Sequence, residues 1–206
     1  MITVIDYGAG NIGSVDKAFK FIGSVVKIAK TKEDIMGAEK LVLPGVGAFS
    51  DAMDNLAQCG FDESLREYIG KNRPFLGICL GMQMLFDYSE EGVSDSGEKV
   101  KGLGIFGGSI RKFPSDMGLK VPQVGWNCIN FSENSRMFNG INSGEYAYFV
   151  HSYYLTASER SVVAARCDYG TEFDAAVECK NIWATQFHPE KSGETGLQML
   201  RNFSKL

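Results

Sequence analysis

The chain has 206 residues, of which 44% are hydrophobic, 12% aromatic and 22% charged. That size supports one well-buried domain, here taken as residues 1–206, and the balance excludes a disordered, collagen-like or coiled-coil chain. Twenty-one basic residues stand against 25 acids, a formal charge of −4, so no general attraction to nucleic acid or anionic lipid is expected. No apolar run approaches the ~18 residues needed to span a bilayer. Residues 1–8 carry no basic region and meet an acid at Asp6, so no export signal is expected and the chain reads as cytoplasmic.

Residues 2–6 read as a short buried strand, followed by a turn at Gly8 and Gly10 and a helix ending near Gly23. Further strands are expected at 24–29, 40–43 and 74–78. Helical segments intervene, most clearly at 62–69, where Leu65 and Ile69 repeat at i, i+4 and Gly70 supplies a stop. Residues 81–88 read as a further helix and 90–102 as a polar surface loop. From Ile105 onward, short strands rich in Val, Ile, Tyr, Phe and Trp alternate with turns such as Asn139-Gly140 and Asp168-Tyr169-Gly170. Of these, 146–154 and 182–187 stand out, and a helix over about 194–203 closes the chain. The pattern predicts an α/β fold. It is an open, mainly parallel twisted sheet with helices on both faces, plus additional antiparallel strands in the second half.

Gly8-Ala9-Gly10-Asn11-Ile12-Gly13 fits the G-x-G-x-x-G dinucleotide pattern, and Glu33 lies 20 residues beyond its last glycine. The acid that would hold a ribose belongs at the end of the second strand, however, and that strand ends in Ile28-Ala29-Lys30. A tight strand-to-helix turn accounts for the glycines equally well. The five cysteines (59, 79, 128, 167, 179) are odd in number and lack Cys-x-x-Cys spacing, so a disulfide framework is not expected. With only His151 and His188 and no thiol pair beside either, no metal is expected.

Chemistry gathers at Gly77-Ile78-Cys79-Leu80-Gly81, where an apolar strand meets a helical segment. This is the thiol counterpart of the G-x-S-x-G nucleophile elbow. Such a turn lifts its nucleophile above the carboxyl edge of the sheet and aims the Leu80 N–H at a developing oxyanion. A thiol nucleophile needs a base, and the base an orienting group. Gln186-Phe187-His188-Pro189-Glu190 offers both, since residues i and i+2 of an extended segment point the same way and Pro189 discourages a helix there. Pro44-Gly45-Val46-Gly47 follows the third strand and so lies on the same sheet edge, where its backbone N–H groups could meet a substrate oxygen, although taken alone it reads as an ordinary glycine turn.

Together these pieces resemble the class I, triad-type glutamine amidotransferases, over essentially the whole chain. The markers are Asp6-Tyr7-Gly8-Ala9-Gly10-Asn11, Pro44-Gly45-Val46-Gly47-Ala48-Phe49, Gly77-Ile78-Cys79-Leu80-Gly81-Met82-Gln83, Gly125-Trp126-Asn127, Tyr148-Phe149-Val150-His151-Ser152-Tyr153 and Gln186-Phe187-His188-Pro189-Glu190-Lys191-Ser192. The resemblance implies a dinucleotide-free, cofactor-free glutaminase. Cys79 would be its nucleophile, His188 its general base and acid, and Glu190 the group orienting His188. It implies an oxyanion hole at Leu80 and the Val46-Gly47 peptide. Gln83, Ser152 and Tyr153 would hold the substrate's α-groups. Asn11, Trp126, Tyr148 and Lys191 match positions that face a partner. The likeness is strongest to the branch that forms a heterodimer with a (β/α)-barrel cyclase. There the ammonia helps to make imidazole glycerol phosphate and aminoimidazole carboxamide ribotide in histidine biosynthesis.

One departure stands out: Gln123-Val124 occurs where family members often carry a histidine beside the proline. The alternative is a related glutaminase that supplies ammonia to a sugar-amidating enzyme. A non-catalytic binding module of the same fold would be expected to lack a triad member, and none is missing. A thiol hydrolase on a similar sheet would not require Gln83 or the partner-facing set. His151 reads as structural, hydrogen-bonded within the aromatic strand.

Overall fold

The computed structural model describes residues 1–93, 97–131 and 134–206. The first half alternates as expected: β1 (Ile2–Ile5), α1 (Ile12–Phe21), β2 (Val26–Ala29), α2 (Lys32–Gly37), β3 (Lys40–Gly45), α3 (Phe49–Cys59), α4 (Phe61–Gly70) and β4 (Phe75–Cys79). Then come α5 (Leu80–Gln83), β5 (Tyr88–Ser89), β6 (Val100–Lys101), β7 (Gly108–Lys112), β8 (Gln123–Cys128) and β9 (Asn130–Phe131). The chain closes with β10 (Tyr146–His151), β11 (Tyr153–Ala157), β12 (Val163–Asp168), β13 (Glu172–Cys179), β14 (Ile182–Thr185) and α6 (Gly193–Ser204).

The strands β2, β1, β3, β4 and β14 lie side by side in that order, each pair parallel. Beyond β14 the sheet turns antiparallel through β13, β11 and β7, with β12 also on β13. β8 and β10 form a separate antiparallel ribbon. Buried parallel strands need apolar residues on both faces, and β3 has them. Leu41 and Leu43 pack on α2, α3 and α4, while Val42 packs on the side of α1 and α6. The helices therefore cover both faces, and the carboxyl ends of β3, β4 and β14 converge at one edge.

Four expectations need correction. The helix predicted over 81–88 is a single turn, α5, because the chain at 103–106 takes the carbonyls that would continue it. Leu103 N–H donates to Met84 O, Gly104 to Phe86 O, and Ile105 and Phe106 to Leu85 O. The loop predicted over 90–102 ends in β6, paired with β5; residues 94–96 lie outside the described residues. The single strand predicted over 146–154 breaks at Ser152 into β10 and β11, which join different sheets. Finally, 189–191 is a 3-10 turn and not extended chain. Proline's fixed φ and missing N–H suit the first position of a turn as well as a strand.

Glu33 sits in the first turn of α2, away from the end of β2, and Gly13 lies inside α1. No helix among the described residues is long and apolar enough to cross a membrane, and these residues contain no cluster of three or more potential metal ligands.

Candidate active site

Cys79 ends β4 opposite Gly45 of β3, with backbone angles φ 55° and ψ −110°. Few residues other than glycine adopt such a conformation, and it persists only where the surroundings enforce it. Here the enforcement comes from close packing at two glycines. A Cβ on Gly81 would overlap the Leu43 carbonyl oxygen, and one on Gly77 would lie 2.7 Å from the Gly81 carbonyl oxygen. β3, β4 and α5 can therefore meet only if both positions lack side chains. The result is a largely buried thiol at the carboxyl edge of the parallel strands.

His188 follows β14 and starts the 189–191 turn. Its Nδ1 lies 2.8 Å from Glu190 Oε1, and both side chains are almost wholly buried, at 2% and 1% exposure. The expected pair exists, joined by the turn instead of by strand alternation. Nε2 has no hydrogen-bond partner among the described residues, which leaves it open to a proton from the sulfur. Cys79 nevertheless lies close enough to act on the ring, by hydrogen bonding first and by charge second. Burial alone would lower the His188 pKa, but Cys79 and Glu190 outweigh it and raise it to about 9.

Cys79 and His188 open into one cleft of about 430 Å³. Val46, Gly47, Leu80, Gln83, Ser152 and Tyr153 line it. All six were expected from the sequence. The break between β10 and β11 puts Ser152 and Tyr153 at the cleft. Gln83 Nε2 donates to Tyr153 O and to Gln186 Oε1, both at 2.9 Å. Its amide nitrogen is thus fully committed, and its carbonyl oxygen is the end left for a ligand.

Three residues escaped the sequence reading of roles. Gln186 lies completely buried with Nε2 3.7 Å from Cys79 Sγ. Glu91 lines the cleft and accepts from the Phe49 N–H. Tyr7 donates its hydroxyl to Pro44 O, and burial together with the nearby Cys79 pushes its pKa far up. Gln186 lay within a marker motif without a role, Glu91 in a polar stretch, and Tyr7 in a glycine turn.

His151, expected to be structural, is held by contacts within the fold and also lines the cleft. Nδ1 lies 2.8 Å from Tyr153 O, and Phe113, Phe149 and Phe173 surround the ring. Burial, partly offset by that hydrogen bond, lowers its pKa to about 4. The two histidines make opposite pH predictions. His188, raised from 6.5 to about 9, contributes stability that is full below 6.5 and lost as pH climbs through about 9. His151, lowered from 6.5 to about 4, stays neutral when folded while the unfolded chain protonates, so stability falls as pH drops from 6.5 toward 4. Melting temperature followed across that range is expected to fall on both flanks. His151→Asn flattens the acid flank and Glu190→Gln the alkaline one.

Of the residues expected to face a partner, Trp126, Tyr148 and Lys191 lie together. Asn11 caps α1, its Oδ1 accepting from Ser14 N–H at 3.3 Å. Lys191 lies at the cleft, its Nζ 5.8 Å from the Tyr148 ring centroid. Trp126, half exposed, and Tyr148 are cross-strand neighbours on the β8–β10 ribbon, edge to face at 6.0 Å. Val124, Tyr146 and Val150 share that outer face, giving an exposed apolar strip. Gln123 points the other way and is fully buried, its Nε2 donating to Asn127 Oδ1 at 2.8 Å. The departure from the family's histidine therefore lies inside, not on this face, because strand residues alternate. The ribbon's inner edge bonds directly to the base: His188 N–H donates to Tyr148 O at 2.9 Å. Ser192 Oγ in turn accepts from Tyr148 N–H at 3.0 Å and donates to His188 O at 2.6 Å.

Residues 3–206 match the family of glutamine amidotransferases class-I. The imidazole glycerol phosphate synthase subunit HisH of Syntrophotalea carbinolica is 48% identical over 211 residues, covering 100% of both chains. HisH 1 of Methanococcus maripaludis is 46% identical with the same coverage. The chloroplastic imidazole glycerol phosphate synthase hisHF of Arabidopsis thaliana is 43% identical over 98% of this chain, which spans 34% of that longer protein. Among solved structures, a glutamine amidotransferase superposes with a TM-score of 0.74 at 18% identity, covering 99% of this chain and 100% of that one.

Proposed function

Because the chain belongs to the class I glutamine amidotransferase family, we propose that it is the glutaminase subunit of an imidazole glycerol phosphate synthase. We propose further that its 206 residues act as one domain and that its triad is Cys79, His188 and Glu190. The observation that carries the catalytic reading is a buried His188–Glu190 pair sharing a cleft with a strained cysteine elbow.

Glutamine enters with its side chain toward Cys79. The Gln83 carbonyl oxygen and the Glu91 carboxylate are acceptors suited to its α-ammonium group. The sulfur gives its proton to His188 Nε2 and attacks the γ-carboxamide carbon. The resulting oxyanion is met by N–H groups of Leu80 and the Val46-Gly47 peptide. His188, held in one tautomer by Glu190, returns the proton to the amide nitrogen, the C–N bond breaks, and ammonia leaves a thioester. Water, deprotonated by His188, then attacks the thioester carbon. Glutamate departs and the thiolate is regenerated. A cytoplasmic setting suits this chemistry, since the thiol must stay reduced.

Free ammonia would largely protonate and diffuse away, so direct delivery to a (β/α)-barrel cyclase is the economical arrangement. The outer strip of Val124, Trp126, Tyr146, Tyr148 and Val150 supplies the aromatic anchors that interfaces favour. Trp126→Ala is expected to weaken cyclase binding by about 30-fold or more, read by titration calorimetry.

The test of the function is glutamate release from glutamine, with and without the cyclase subunit and its ligand. Strong activation by the cyclase supports the assignment. Release that ignores the cyclase keeps the glutaminase and directs attention to a sugar-amidating acceptor. No release under any condition removes the catalytic reading.

A further inference from the structure

Gln186 stands one residue past β14, fully buried, with its carboxamide against the sulfur. Its neighbours decide which end of the amide faces Cys79. The Tyr153 carbonyl can only accept, so the part of Gln83 lying 2.9 Å from it is the NH₂. That same NH₂ lies 2.9 Å from the Gln186 carboxamide, which must therefore present its oxygen there. The Gln186 NH₂ is left facing Cys79 Sγ at 3.7 Å. His151 Nδ1, 2.8 Å from the same Tyr153 oxygen, helps to anchor the start of the chain.

We propose that Gln186 is a catalytic residue that donates a hydrogen bond to the Cys79 thiolate, with Gln83 and the Tyr153 carbonyl locking the donor in place. The inference rests on Cys79 being the nucleophile of the function proposed above. A donor of this kind favours thiolate over thiol, because hydrogen bonds to ionised groups are the stronger ones. It acts twice in the cycle. Before attack it holds the sulfur's charge and fixes the direction of the remaining lone pairs. During thioester hydrolysis the C–S bond breaks and the electron pair returns to sulfur, where the same N–H group meets it. The charged and titratable groups nearest the sulfur are His188, with Glu190 behind it, and Tyr7, which burial keeps neutral; Glu91, His151, Tyr153 and Lys191 line the same cleft. Gln186 is thus the neutral donor of the set, and its contribution does not vanish when His188 titrates. The same wall that would hold the substrate's α-groups also orients this donor.

The experiment is the pH dependence of Cys79 alkylation by iodoacetamide in the full chain. The Cys79 peptide is followed by mass spectrometry to separate it from the other four cysteines. Wild type is compared with Gln186→Leu and Gln186→Glu. The alkylation midpoint is expected to rise by about one to two pH units in Gln186→Leu, and further in Gln186→Glu, which sets a carboxylate beside the sulfur. An unchanged midpoint in the variants, with melting temperature retained, overturns the proposal. Should Gln186→Leu not fold, Gln186→Met takes its place, since it keeps the length of the side chain and removes the donor without adding charge. A midpoint that moves in a chain releasing no glutamate keeps the thiolate donor and removes the glutaminase reading. A working glutaminase whose midpoint ignores Gln186 does the reverse.

Discussion

Replacing Cys79 by alanine is expected to abolish glutamate release, by ~10⁴-fold or more, because the members of a nucleophile–base unit fail together. The oxyanion donors and the substrate-binding wall remain, but nothing is left for them to act on. Substrate binding is expected to survive: glutamine titrated into the variant should bind about as tightly as into wild type. His188→Asn should lie close to Cys79→Ala in rate, and the double variant no lower, since the two groups pass one proton between them. Additive losses in the double variant would mean that they act independently, which would contradict the shared-cleft geometry.

Gly81→Ala is expected to be the most damaging single methyl in the chain's active half. The added Cβ falls on the Leu43 carbonyl oxygen, an atom of the buried strand β3 with no flexible side chain to yield. Relief requires moving β3 and α5 apart at the very point where Cys79 is held in its strained conformation. The cost is about 3 kcal/mol or more, at the upper end of overpacking penalties. For a chain of this length that lowers the melting temperature by roughly 6–12 °C. Calorimetry measures it directly. Gly8→Ala, whose Cβ meets nothing within 4 Å, serves as a comparison in which left-handed backbone is strained without a clash. A Gly81→Ala chain as stable as Gly8→Ala would refute the packing argument.

The parallel half of the fold is legible in the sequence because its strands are short, apolar on both faces and punctuated by glycine. The elbow is legible for a related reason: Gly77 and Gly81 flank a cysteine at a strand end, and sterics alone demand them. What the sequence hides is long-range competition for backbone groups. Residues 84–86 look helical, but carbonyls at 84, 85 and 86 are claimed from 103–106, an interaction local propensity does not contain. The break at Ser152 is equally hidden, since a single serine between aromatic residues is a weak turn signal. Gln186 is invisible as a donor because a lone amide in an apolar strand carries no periodic signal. Its role emerges only when Gln83, 103 residues earlier, is placed beside it. Glu91 is camouflaged by the acids and glycine around it.

The ribbon β8–β10 has two edges with different duties. β8 occupies one, and the other clasps the backbone of His188 through Tyr148 and Ser192. The residue proposed to carry protons therefore hangs from a strand whose opposite surface is exposed and apolar. A protein seated on Tyr148 would press on the mounting of the proton carrier without any relay through the packed interior. Such a partner need only stiffen or tilt one strand to set when ammonia is made. On that reading, the trigger and the chemistry would lie on the front and back of the same few residues.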